Sequence, residues 1–285
     1  MDFHTTSPPE FPDHLAGDWV DPVEERVLLR RRLRRLYLGF SILGLALVLA
    51  SLSILGHLIL LFSGRGGVGL GRLMGVPLLD LVEEAAIVWC SLIGVALLWG
   101  RWPDQNWQRR SGLLLMMCLV DLVQWSIDNA AMLGLTEAPF GHEWFRMSLG
   151  TALGWSQFAL IASLAADMAA HLGVPHALDF GKSARSLATT GAMVWFMYFY
   201  FATDWTTPIW PLHRRGNNAG QIMLYLGWLV LYAINLVQIT ALTLLAGRSC
   251  GRTLREMSEE DRRNDHIPSR SEAGWEEMNR PGPHR

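Results

Sequence analysis

The chain of 285 residues is poor in cysteine and in charge. Its three cysteines, Cys90, Cys118 and Cys250, are scattered without a paired spacing, so they predict neither a disulfide framework nor a zinc site. Charged residues make up 18% of the chain, below the roughly 25% that is usual in soluble domains. The net charge is only −2 and no nucleic-acid-binding motif occurs, which excludes nucleic acid as a partner.

Long apolar runs are what the sequence has in abundance, with apolar residues forming 51% of the chain. A helix needs about 20 mostly apolar residues to cross roughly 30 Å of hydrocarbon, and several runs are that long. They lack the alternating pattern of membrane β-strands. The sequence therefore predicts an all-α, polytopic integral membrane protein with six transmembrane helices, at about 37–62, 78–99, 112–135, 147–171, 186–203 and 221–246.

Basic residues are concentrated on one side of these six predicted spans. The loops on the opposite side contain only Arg65, Arg72, Arg146, Arg214 and Arg215. Because cytoplasmic flanks carry the excess of Lys and Arg, we expect both termini in the cytoplasm, and a bacterial cytoplasmic (inner) membrane as the location. The predicted organisation is a disordered acidic segment, a basic amphipathic juxtamembrane helix, the six-helix transmembrane domain and a disordered charged tail, at 1–22, 23–36, 37–250 and 251–285 respectively.

The juxtamembrane helix surrounds a leucine stripe with arginines. This pattern is typical of a helix that lies on anionic lipid headgroups, which would be bound by Arg30, Arg31, Arg34 and Arg35. The alternative is an ordinary basic flank that only fixes the orientation of the first span.

Carboxylates within the predicted spans are the strongest functional signal. Asp121 and Asp128 are seven residues apart, so they lie about 20° apart around the third helix and about 10 Å apart along it. Gln124 and Asn129 extend this polar stripe, and His57 of the first span lies at a depth that would suit a proton relay. A charge at mid-span costs about 3 kcal/mol, so we expect the stripe to meet water, an ion or polar side chains.

Other polar groups predict supporting roles. Asp80, Glu83 and Glu84 open the second span and would form an outer acidic vestibule, or are simply interfacial acids at a helix start. Asp167 and His171 are one helical turn apart, a weak candidate for a metal site because two ligands are too few. Three amides near mid-depth would line a hydrated cavity or join helices by hydrogen bonds: Gln157, Asn235 and Gln238.

Three functions fit this pattern. The first is a transport or ion-conducting component that uses the intramembrane carboxylates for a proton or small cation. The second is a non-catalytic accessory or scaffold subunit, with partner subunits or further copies of the chain packed on its polar seam. The third is a metal-dependent intramembrane enzyme. No cofactor is predicted, and the lipid bilayer is the expected surrounding.

Overall fold

The computed structural model describes residues 22–62, 78–100, 105–132, 143–202 and 219–265. These residues form helices and contain no strand, which confirms the predicted all-helical class. The acidic segment over 1–21 and the end of the tail over 266–285 lie outside the described residues. In chain order the helices are α1 (Pro22–Phe62), α2 (Leu78–Leu98), α3 (Gln105–Met132), α4 (Glu143–His171), α5 (Ala177–Ala202) and α6 (Ala219–Asp265).

Four of these helices are long and apolar enough to cross a membrane. The apolar segments belong to α1, α2, α3 and α6, and cover Glu24–Gly56, Leu79–Leu98, Asn106–Ala130 and Leu226–Arg263. Large apolar side chains also point away from the bundle, including Leu45, Val82, Val123 and Val237, each more than half exposed. In a membrane such side chains meet lipid instead of water, so the exposed surface suits a bilayer.

The helices pack as a closed bundle in which α4 is the most enclosed. Helix α1 packs on α2 and α6, α3 joins α2 to α4, and α4 also contacts α5 and α6. Every described side chain from Ile161 to Ala169 is buried, except that of the half-buried Asp167. Small residues make this enclosure possible, since four alanines on α4 allow its neighbours to approach closely: Ala162, Ala165, Ala166 and Ala169.

Glycines set the closest helix crossings. A Cβ atom at Gly94 of α2 would lie 2.8 Å from the backbone nitrogen of Leu43 and 3.0 Å from the carbonyl oxygen of Gly39, both on α1. A Cβ atom at Gly191 of α5 would lie 2.1 Å from the ring of Trp155 on α4. At both crossings the neighbouring atoms occupy the space that a side chain would need.

The terminal helices α1 and α6 are longer than the sequence predicts. They contain 41 and 47 residues, so they extend about 60 and 70 Å, roughly twice the hydrocarbon thickness. The juxtamembrane helix is continuous with the first span, and residues 251–265 are helical where we expected disorder. Leu254 and Met257 are partly buried against the apolar core, which includes Leu33 of α1, so the charged end of α6 has an apolar contact that sequence composition alone does not suggest.

Ion pairs close the far end of this two-helix extension. Arg30 pairs with Asp261, and Arg26 lies 3.8 Å from Glu260. These groups are about half exposed, so we expect Arg30→Gln to lower the free energy of unfolding by less than about 1 kcal/mol. The test compares the melting temperatures of the wild type and the variant in detergent, at low and at high salt. Arg31→Gln is the matched control at an exposed position. A loss that persists in 1 M salt, where the Debye length is about 3 Å, would contradict an electrostatic role.

Candidate functional site

Asp121 is the centre of the candidate site. It lies in the middle of α3 and is half-buried, and the side-chain amide of Gln157 on α4 donates a hydrogen bond to its Oδ2. Within the described residues Asp121 takes part in no salt bridge, and its hydrogen-bond donor is the neutral amide of Gln157. A carboxylate with a neutral partner in an apolar setting is stabilised in its protonated form or by a cation from outside the protein.

Part of the polar stripe predicted on α3 faces α4. The side chain of Gln124 covers Gly150, where an added Cβ would lie 3.0 Å from Nε2 of the glutamine. Asn129 turns back to its own helix and donates to the carbonyl oxygen of Trp125 at 2.8 Å. Asp121 and Gln124 therefore lie at one interhelical contact.

An ion pair lies at one end of the same α3–α4 interface. The guanidinium of Arg110 donates to Oγ of Ser163 at 2.7 Å and to the carboxylate of Asp167. The side chains of Arg110 and Asp167 are 29% and 35% exposed, so the pair is near the surface of the bundle but not fully solvated. Arginine 110 is part of α3 because that helix begins at Gln105, earlier than the predicted span.

This pairing bears on the metal candidate at Asp167 and His171. The carboxylate of Asp167 contacts the guanidinium of Arg110 through Oδ2, and the positive charge of this arginine disfavours a metal cation at the same carboxylate. Among the residues that the structure describes, no group of three or more His, Cys, Asp or Glu side chains is placed to hold a metal ion. The geometry thus gives Asp167 an electrostatic partner and no third ligand.

The acids of α2 lie beside the other half of α3. Trp125 of α3 lies near the carboxyl group of Glu84, while Asp80 is half-buried one turn before Glu84 and Glu83 is half-buried next to it in the chain. Because α2 and α3 are antiparallel, Asp80 comes level with Asp128, one turn beyond Trp125. The predicted vestibule residues therefore lie at the end of the bundle opposite Arg110.

Aromatic side chains enclose the level of Asp121. The ring of Tyr232 on α6 lies 5.5 Å from that of Trp155 and 5.2 Å from that of Phe158, the two α4 residues that flank Gln157. Trp228, one turn earlier on α6, contacts both Tyr232 and Trp195 of α5. This cluster is absent from the predicted site, because its members come from three helices whose contacts the sequence does not specify.

The remaining predicted residues have different placements. His57 belongs to α1, but its side chain lies outside the described residues. In the predicted lipid-binding arm Arg30 pairs with Asp261, and Arg35 donates to the carbonyl oxygen of Ala96 on α2 at 3.1 Å. The other two arm residues, Arg31 and Arg34, are exposed. Among the described residues, therefore, only two of the four arm arginines have no intramolecular contact to exchange for a headgroup.

Comparison with protein-family models, with curated proteins and with solved structures finds no match to this chain.

Proposed function

We propose that this protein is a membrane transport or ion-conducting component that moves a proton or small cation past Asp121. The single observation that carries the proposal is the setting of this carboxyl group, half-buried at mid-helix with the neutral Gln157 as its hydrogen-bonding partner. Inserting an ionisable side chain at mid-membrane costs several times the free energy that one leucine contributes to insertion. Its presence therefore needs an explanation other than stability.

The neighbouring groups supply the rest of such a pathway. Asp80, Glu83 and Glu84 at the opposite end from Arg110 attract cations by their charge, Asp128 is level with Asp80, and Gln124 lies between that level and Asp121. Asp167 with Arg110 occupies the other end of the α3–α4 interface. In this proposal all six helices span a bacterial inner membrane, the Arg110 end is cytoplasmic and both termini are inside, as the distribution of arginines supports.

The test is the flux of the full chain in liposomes that enclose a pH-sensitive or a cation-sensitive dye. We expect Asp121→Asn to reduce flux to the level of empty liposomes, because an amide neither takes up a proton nor carries a charge. The fold should be retained, since an asparagine Oδ1 still accepts the hydrogen bond from Gln157.

The matched control is Asp179→Asn. Asp179 is an exposed carboxylate on α5, 3.5 Å from Lys182, and it lies away from the polar interface. Its substitution should leave flux unchanged. If Asp121→Asn keeps wild-type flux, the transport proposal is wrong.

A second function, that of an accessory subunit, is favoured by the fact that the α3–α4 polar groups contact each other. Interhelical hydrogen bonds of this kind hold membrane helices together at about 0.6 kcal/mol on average. In that case Asp121→Asn changes neither flux nor stability by much, and the purified protein carries a stoichiometric partner. The liposome experiment therefore separates the two functions.

A further inference from the structure

The face of α4 that meets α3 contains a gap beside Asp121. Three α4 residues share this face, because Gly150, Gly154 and Gln157 lie within about 60° of one another around the helix. The first and the last of them contact α3, since Gln124 covers Gly150 and Gln157 binds Asp121. At Gly154, in contrast, no described atom beyond its own stretch of helix lies within 4 Å of the position that a Cβ atom would occupy.

The gap lies at the height of the polar side chains. Gly154 follows Gly150 by four residues and precedes Gln157 by three, which is about 6 Å and about 4.5 Å along α4. Gln124 is level with Gly150, and Asp121 is level with Gln157. The open position at Gly154 therefore faces the single turn of α3 that runs from Asp121 to Gln124.

The loose packing is confined to this face of α4. On the other side of the helix the ring of Trp155 lies 2.1 Å from the position of a Cβ atom at Gly191 on α5, and 5.5 Å from the ring of Tyr232 on α6. Helix interiors are normally close-packed, and the cavities that remain empty are apolar. A gap that lies beside a carboxyl group and two amides is therefore expected to hold water or an ion.

The side chains around the gap supply oxygen ligands. Gln157 binds Oδ2 of Asp121, which leaves Oδ1 of the same carboxyl group for another partner. Each of the two glutamines, Gln124 and Gln157, has a side-chain carbonyl oxygen in addition to its donor nitrogen. Carboxylate and amide oxygens are the ligands that hard metal cations prefer.

The charge of the site suits a monovalent ion. Asp121 contributes one negative charge, and among the described residues it takes part in no salt bridge. The described part of the chain also holds no group of three or more His, Cys, Asp or Glu side chains placed to bind a metal ion. One carboxylate neutralises a monovalent cation, whereas a divalent cation would keep an uncompensated charge. A proton requires no gap, because it is carried by the carboxyl oxygen itself.

We propose, on the basis of the function proposed above, that the gap at Gly154 is the binding site of the transported ion and that this ion is a monovalent metal cation such as Na⁺ or K⁺. Asp121 neutralises its charge. Gln124 and Gln157 contribute side-chain oxygens, and water completes the coordination. Glycine is required at position 154 because a larger side chain would occupy the space of the ion.

The test is the melting temperature of the full chain in detergent, measured in NaCl, in KCl and in N-methylglucamine chloride at the same ionic strength. An ion that binds only the folded chain stabilises it. NaCl or KCl should therefore raise the melting temperature by about 3 °C or more above the value in N-methylglucamine chloride. The organic cation is the reference, because it is too bulky to share the oxygen ligands of a metal ion.

Gly154→Leu fills the gap and should abolish this rise. Its melting temperature in N-methylglucamine chloride should stay near that of the wild type, because the leucine enters open space. Gly227→Leu is the matched control. Gly227 is an exposed glycine of α6 that also has no described atom within 4 Å of its Cβ position, and this variant should keep the full rise.

Gln124→Leu is the second variant, and it tests the ligands without filling the gap at Gly154. Loss of one oxygen ligand should raise the salt concentration that gives half of the melting-temperature rise about tenfold, which corresponds to roughly 1.4 kcal/mol of binding free energy. The side chain of Gln124 also covers Gly150, and a leucine of similar size keeps that contact.

The inference is overturned if neither salt raises the melting temperature of the wild type above the reference, or if Gly154→Leu and Gln124→Leu keep the wild-type rise. Flux through Asp121→Asn in liposomes distinguishes this failure from that of the transport function. Proton flux that is lost in Asp121→Asn, without any rise in NaCl or KCl, leaves the transport function standing and rejects the metal-ion site. Wild-type flux in Asp121→Asn rejects both.

Discussion

Gly94→Ala should lower the free energy of unfolding by about 2 kcal/mol, because the added methyl group overpacks a tight helix crossing. The added Cβ would lie 2.8 Å from the backbone nitrogen of Leu43 and 3.0 Å from the carbonyl oxygen of Gly39. Both neighbours are backbone atoms, so no side-chain rotation relieves the clash and α1 must move away from α2. The measurement is the melting temperature in detergent together with the helical circular dichroism signal.

Gly154→Ala is the matched control for this substitution. Gly154 is also within a helix, α4, but no atom lies within 4 Å of the position that its Cβ would occupy. Since alanine favours a helix over glycine by about 1 kcal/mol, this variant should be at least as stable as the wild type. Equal destabilisation of both variants would show that helix packing at Gly94 is not the cause.

Replacing Arg110 with glutamine should be the most destabilising change among the polar contacts. It leaves the carboxylate of Asp167 without its cation and the hydroxyl of Ser163 without its donor at 2.7 Å. A fully buried pair loses 3–5 kcal/mol when one partner is removed. Here the side chains are 29% and 35% exposed, so water compensates in part and we expect a loss of about 1–3 kcal/mol.

The pair can be isolated with a double-mutant cycle. If Arg110 acts through Asp167, Arg110→Gln in an Asp167→Asn background should cost much less than in the wild type. Arg109→Gln is the control, because Arg109 is the exposed neighbour in the chain and, among the residues that the structure describes, makes no ion pair or hydrogen bond across the α3–α4 interface. Additive losses in the cycle would mean that the two residues stabilise the bundle independently.

The sequence predicts the helical class because twenty-residue apolar runs have no other stable form in a bilayer. It also predicts that Asp121 and Gln124 share a face, since that follows from the helical repeat. It does not predict that Gln157 binds Asp121, or that Arg110 binds Asp167. Both contacts depend on the relative height and rotation of α3 and α4, which are fixed by packing at Gly150 and by the buried apolar side chains between the two contacts.

The sequence-based prediction differs from the structure in another way at the end of α6. Residues 251–265 contain many charges and few apolar groups, so composition predicts disorder. Leu254 and Met257 nevertheless pack against the apolar core, and Arg30 pairs with Asp261. A segment that cannot fold alone is helical here because a second helix supplies its apolar partner, and single-segment composition does not detect that.

The pairing of the start of α1 with the end of α6 also has a topological consequence. Arg26 and Glu260 approach to 3.8 Å, so the first and last described helices meet side by side and the bundle is nearly a closed loop. The two helix ends could be joined by a short linker and the chain opened at the turn between α4 and α5. Every pair of neighbouring helices would then stay in contact, and only the covalent connection at that turn would be lost. The molecule is accordingly a natural candidate for circular permutation, with new termini beside His176, whose backbone φ of 60° already marks a tight turn.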